Sequence, residues 1–205
     1  IGGLGMSEHY SLDVAFSPTV KAIQVNKGSR DGYAKMEAKG GWRTTISPDL
    51  VAFIAERDSF YMATANADGQ PSLQHRGGPI GFLRVLDDTT LAFADFTGNR
   101  QYISVGNLSE NDKVSLFLID YPNRRRIKIW GRAQVIDDDP ALNQQLSDPD
   151  YKAEVEAAMV INVEAWDINC SKHIAQRYTD DQIVALVSPL QARIAELEAE
   201  VASLR

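Results

Sequence analysis

The chain is 205 residues long and 44% hydrophobic, enough to bury one good core. Its net charge of −7 argues against a nucleic-acid binder, which needs surplus Lys and Arg on one face, and its single cysteine, Cys170, excludes an internal disulfide and a cysteine-based zinc cage. With no long apolar span and no signal-peptide cleavage pattern, a cytoplasmic protein with no membrane partner is expected.

Residues 1–5 precede Met6 and are set aside from functional reasoning. Residues 18–57 read as mostly helical, with Val20, Ile23 and Gln24 on one face and Ser47-Pro48 opening a second segment as N-cap and first helical residue. From Phe60 the pattern changes to strand. Residues 60–64 and 71–75 flank Asn66-Ala67-Asp68-Gly69 as a hairpin, and residues 82–86 and 90–94 flank Asp87-Asp88-Thr89 as a second one. A helix is expected over residues 99–108, strands over 114–119 and 126–136, a short helix over 140–146 and a further strand over 155–165. About six strands joined by hairpin-length turns predict an α+β, mainly β protein built on an antiparallel barrel rather than a parallel doubly wound sheet.

The tail differs in kind. Ser188-Pro189 can cap a helix in which Leu190, Ile194, Leu197, Val201 and Leu204 recur at spacings of four and three, a seam of about two heptads. Such a stripe either pairs with a second copy of the chain or packs on its own domain, and the sequence leaves both open. Two heptads alone are too short to hold a dimer.

Two elements gather cations around glycines in this acidic chain. His75-Arg76-Gly77-Gly78 ends a hairpin strand, and Gly98-Asn99-Arg100-Gln101 lies where a strand gives way to a helix. Free N–H groups at a helix start, the helix dipole and a guanidinium can converge on one anion, and glycines let backbone approach a ligand. Taken singly, the second string is equally an Asn N-cap with an arginine in solvent. No Gly-x-Gly-x-x-Gly dinucleotide fingerprint follows a strand, so the anion expected is a single terminal phosphate. His75 and His173 are far apart with no carboxylate pattern beside them, and no metal site is expected.

In order and spacing, these strings and the basic strand from Arg124 to Arg132 resemble the pyridoxamine 5′-phosphate oxidase family of FMN-binding split barrels. Two further stretches carry the resemblance: Ala165-Trp166-Asp167 with Asn169-Cys170-Ser171-Lys172-His173-Ile174, and the segment around Lys21 to Arg30. It extends over residues 47–178 and is closer to a broad bacterial branch than to the biosynthetic oxidase. It implies a six-stranded antiparallel split β-barrel with flanking helices, divided as residues 1–46, 47–178 and a C-terminal heptad helix over 179–205. It also implies FMN as cofactor and a homodimer in which two subunits build each site. Gln74, His75, Arg76 and Gly77 would line the flavin edge and phosphate, and Asn99, Arg100 and Gln101 would hold phosphate and ribityl oxygens. Arg126 would approach the flavin's polar edge, and Trp166, Asn169, Cys170 and His173 would come from the partner chain. Trp166 reads equally as a core aromatic, and Cys170 as packing rather than a nucleophile. No general base is singled out.

The function so implied is an FMN-dependent oxidoreductase acting on a small molecule, with NADH, NADPH or oxygen as the other redox partner. Two alternatives stand beside it: a non-catalytic flavin- or haem-binding carrier or sensor, and an oxidase of pyridoxine or pyridoxamine 5′-phosphate. The chain departs from the biosynthetic oxidase at its C-terminal end, where an acidic heptad helix replaces an arginine-rich substrate-binding stretch.

Overall fold

A computed structural model describes residues 10–204; the stretch Ile1–Gly5 set aside above lies outside them. The chain forms two compact units, one holding the residues up to Ile119 together with Arg126–Cys170, the other Asp120–Arg125 and the residues from Ser171 onward.

The first unit opens with a 3-10 turn at Ser11–Val14 and helices α1 (Pro18–Asn26) and α2 (Arg30–Glu37). Polar contacts join these two helices: Glu37, 5% exposed and paired with Arg30 of its own helix, receives Lys21 of α1 at 3.3 Å, and Arg30 donates to Gln24 of α1 at 2.9 Å. On α1 it is Gln24 that is buried, while Ile23 faces out. Helix α3 (Pro48–Ala55) starts as its sequence signals, with the Ser47 hydroxyl accepting from the Leu50 N–H and Pro48 next. It buries Leu50, Phe53 and Ile54, one stripe at helical spacing.

Seven strands make one sheet in the order β2-β1-β5-β6-β7-β4-β3. They are β1 (Ser59–Ala65), β2 (Pro71–Gly77), β3 (Arg84–Val85), β4 (Thr90–Phe96), β5 (Lys113–Asp120), β6 (Arg125–Ile136) and β7 (Val155–Asn169). The count is seven against the expected six, and the third strand, expected over 82–86, is only the two residues Arg84–Val85. Both expected hairpins form, with Met62 opposite Gln74 in the first and Arg84 opposite Ala92 in the second, both antiparallel. Strands β1 and β5 alternate buried and half-buried residues, as one-sided strands must. Strand β4 does not, because it is covered on both faces: Leu91 and Phe93 join the barrel core, whereas Ala92 and Ala94 pack with Leu146 of α5 (Pro140–Leu146) and Ala158. The result is an α+β, largely antiparallel split barrel.

Its two ends meet. Strands β2 and β4 lie far apart in the order of the sheet, yet Arg76 on β2 donates to Asp95 on β4. Phe60 of β1, Phe82 and Phe93 of β4 pack as an aromatic cluster beneath that contact, Phe60 and Phe93 edge to face at 5.3 Å. The β6–β7 register shifts between Trp130 and Gly131, with Glu164 of β7 as the extra residue, and there a side chain at Gly131 would drive its Cβ into the Asn162 carbonyl oxygen. The segment between α2 and α3 is clipped to the sheet as well. Arg43 bridges Trp166, the Trp166 indole N–H donates to the Thr45 carbonyl at 2.8 Å, and Trp42 stacks on Trp130 at 4.5 Å.

Two helix starts differ from expectation. Helix α4 runs from Ile103 to Glu110, four residues after the expected beginning at Asn99, because Arg100 and Tyr102 adopt left-handed backbone (φ 59° and 52°) that no helix continues through. In the second unit, helix α6 (Asp180–Ser203) begins nine residues or so ahead of Ser188-Pro189, under a capping box in which Thr179 and Gln182 exchange hydrogen bonds. Pro189 lies inside it, and the Ser188 hydroxyl donates to the Val184 carbonyl at 2.8 Å. That unit also holds Gln176 against the Pro122 carbonyl and Arg177 over the Tyr121 ring. No helix among the described residues is long and apolar enough to cross a membrane.

Candidate functional site

Where the ends of the sheet meet, a cleft of about 300 Å³ opens between the end of β2, the end of β4, the loop 97–102 and the start of α4. The first hairpin sets the β2 side. Register with β1 places Gln74, His75, Arg76 and Gly77 opposite Met62, Tyr61, Phe60 and Ser59, and the Tyr61 ring meets the His75 ring edge to face at 5.5 Å. All four β2 residues line the cleft.

The loop supplies Asn99, Arg100 and Gln101 to the same cleft. Asn99 is not a helix cap. Its side-chain oxygen accepts from the Gln101 N–H at 3.2 Å, closing a turn that throws Arg100 into left-handed backbone with its side chain about two-thirds exposed. The cap position of α4 falls to Tyr102, which provides no side-chain hydrogen bond, so the N–H groups of the first turn face the cleft without a side-chain cap. Helix α4 is held in place from behind, where buried Asn107 donates to Thr64 of β1 at 2.9 Å.

Charges in the cleft are balanced. Arg76 is committed to Asp95 through one guanidinium nitrogen, while its Nε is buried without a hydrogen-bond partner. Burial pushes the Asp95 carboxyl above the usual aspartate range, and the neighbouring Arg76 pulls it back; Glu156, entering from β7, adds to the rise. Glu156 also accepts from the Tyr102 hydroxyl at 3.4 Å and lies 3.8 Å from Arg100 Nε. Two guanidiniums therefore face two carboxylates, and an incoming anion must compete with Glu156 for Arg100. The sequence reading missed Asp95, Tyr102, Ser104 and Glu156. Asp95 carried a local signal, a carboxylate closing an otherwise apolar strand, whereas Glu156 reaches the cleft only through the β4–β7 pairing.

The glycines play different parts from those expected. At Gly78 a Cβ would meet the Phe82 ring at 2.7 Å, so this glycine makes room for packing rather than for a ligand. At Gly77 it would come to 3.2 Å from the His75 ring, and at Gly98 it meets nothing closer than 3.9 Å.

Arg126 is not among the residues lining this cleft, nor are Trp166, Asn169 and Cys170, which with His173 were expected to serve a partner chain's site. Arg126 pairs with Asn169 across β6 and β7, and its Nε is buried without a partner. Cys170 is exposed just past β7. His173 belongs to the second unit, where it is exposed with φ 65°. Trp166 is only 2% exposed, with its N–H bound to Thr45 and Arg43 stacked 5.0 Å from its ring, the packing of the core aromatic that was the other reading of this residue. Among the described residues no group of three or more His, Cys, Asp or Glu could hold a metal ion.

A family model described as pyridoxamine 5′-phosphate oxidase matches residues 46–171, more than half of the chain. No curated protein matches it. Among solved structures, HupZ of Group A Streptococcus is 18% identical with a TM-score of 0.50, the match covering 65% of this chain and 99% of that one. A putative pyridoxamine 5′-phosphate oxidase from Lactobacillus delbrueckii is 23% identical (TM-score 0.47; 61% and 95% covered). An FMN-binding protein from Syntrophomonas wolfei is 13% identical (TM-score 0.49; 72% and 97% covered). At these identities the likeness is one of fold.

Proposed function

The chain belongs to the pyridoxamine 5′-phosphate oxidase family, and on that premise we propose that it is an FMN-binding oxidoreductase acting on a small molecule as a homodimer in the reducing interior of the cell. One observation carries the cofactor: the uncapped first turn of α4, Arg100 and Arg76, whose buried Nε has no hydrogen-bond partner, all belong to the lining of one cleft. Oriented N–H groups and guanidiniums are the donor set a phosphate monoester takes, and a buried arginine nitrogen without an acceptor fits a ligand oxygen.

In this reading Arg100, largely exposed, would exchange Glu156 for the phosphate, and Arg76, held by Asp95, would supply a fixed positive charge to the cleft wall. Gln101 and Asn99 present amide groups to the ribityl chain, and Gln74 and His75 border the ring. When bound, FMN supplies hydride or electron transfer at its isoalloxazine.

The visible spectrum of the purified protein tests the proposal, with the acid-released cofactor identified by mass. A yellow protein releasing FMN is expected. A colourless protein that FMN does not reconstitute overturns the reading, and recovery of haem replaces it with another. Anaerobic mixing with NADH or NADPH then separates enzyme from carrier, since bleaching of the flavin marks turnover.

A further inference from the structure

Helix α6 carries an apolar seam longer than its sequence first suggests. Because the helix starts at Asp180, Ile183 and Val187 extend the 4-3 spacing upstream, giving three heptads with Val187, Ile194 and Val201 at a, and Ile183, Leu190, Leu197 and Leu204 at d. Every one of these side chains is between 37% and 81% exposed. An uncovered stripe of this length on one helix is a surface built for a partner.

We propose that the partner is a second copy of the same helix, parallel and in register, forming a two-stranded coiled coil. Three observations select this occupant. Branched residues at a with leucine at three of four d positions favour two parallel strands. In that pairing the g position Arg193 faces the partner copy's e position, Glu198, and the contact occurs twice by symmetry. Finally, Pro189 falls at c and Ala185, whose carbonyl it leaves without an intrahelical donor, at f, so the one defect in the helix lies on the outer side where water satisfies it. Val184 and Leu186, 60% and 59% exposed at e and g, widen the seam in its first heptad.

The coil is independent of flavin binding, so its test reads geometry alone. Cys170 is the chain's only cysteine, and in a Cys170→Ser background Leu197→Cys places thiols at d and Ala199→Cys places them at the outer f position. In a glutathione redox buffer the full-length Leu197→Cys protein is expected to become covalent dimer at least about tenfold more completely than Ala199→Cys, the thiols at d being held within disulfide reach. Leu190→Cys should behave like Leu197→Cys and guards against a local effect of either substitution. Equal cross-linking of Leu197→Cys and Ala199→Cys, no cross-linking at either d position, or preferential disulfide formation between Leu197→Cys and Ile194→Cys chains, the mark of an antiparallel pair, would overturn the proposal.

Discussion

Arg76 of β2 and Asp95 of β4, nineteen residues apart in sequence and on the first and the last but one strands of the sheet order, form an ion pair that ties the two sides of the barrel together. The same arginine lines the cleft proposed to take the phosphate, so one side chain closes the barrel and stands at the proposed site. Arg100, by contrast, is largely exposed and pairs loosely with Glu156. The two arginines should therefore respond differently to removal.

Arg100→Ala is expected to weaken FMN binding about ten- to a hundredfold, the worth of a charge-assisted hydrogen bond of ~1.5–3 kcal/mol, with little change in folding stability. Arg76→Ala should lose a similar factor in affinity and also about 2–3 kcal/mol of stability, because Asp95 is left buried without its partner. Parallel FMN titrations and urea unfolding curves check both. If neither variant changes the titration, the phosphate is not held here.

Asp95 makes stability depend on pH in a direction its burial dictates. A carboxyl whose folded pKa lies above its unfolded one binds a proton more tightly when folded, so stability falls as pH rises from the unfolded value through the folded one. Arg76 limits that loss. Arg76→Ala should push the Asp95 carboxyl further up and steepen the decline between acid and neutral pH, and Arg76→Ala with Asp95→Asn should abolish the added slope. Unfolding midpoints measured across that range decide the matter, and parallel profiles for parent and single variant would refute it.

Trp166→Phe should cost about 1–3 kcal/mol, since the Thr45 carbonyl loses its donor and the core loses volume. The FMN titration should not move. A variant with native stability and weakened flavin binding would return Trp166 to the site.

Gly131→Ala should destabilise by ~1–3 kcal/mol, the usual range for forcing atoms into a filled space, because the clash is with β7 backbone beside the bulge at Glu164 and no side chain can step aside. Thermal unfolding reads the effect. A shift indistinguishable from a surface substitution would mean that the bulge slides.

Local chemistry made much of the fold legible. Ser47-Pro48 and the Asn66 to Gly69 turn act through bonds to their own neighbours, and α3 and the first hairpin form where those residues say. Helix α5 spans Pro140–Leu146 as read, with Asp139 capping it. The start of α4 was illegible because Asn99 spends its side chain on a turn instead of a cap, a choice set by the backbone of Arg100 and Tyr102. For α6 the signal existed at Thr179 and Gln182 but was outweighed by Ser188-Pro189, a proline that a long helix tolerates. In the cleft, the cationic half was visible as strings, whereas Glu156 is delivered by strand pairing more than fifty residues downstream of the loop it meets.

All three tryptophans of the chain lie on the seam between residues 42–45 and the strands beneath, two of them as rings 4.5 Å apart and 5° from parallel. Indole rings held rigidly at this distance in asymmetric packing give the near-ultraviolet circular dichroism a signature that is lost when the rings separate. The protein thus carries an unlabelled optical gauge of one seam: a loss of that signature ahead of the far-ultraviolet signal would time the peeling of the leading segment from a barrel still intact.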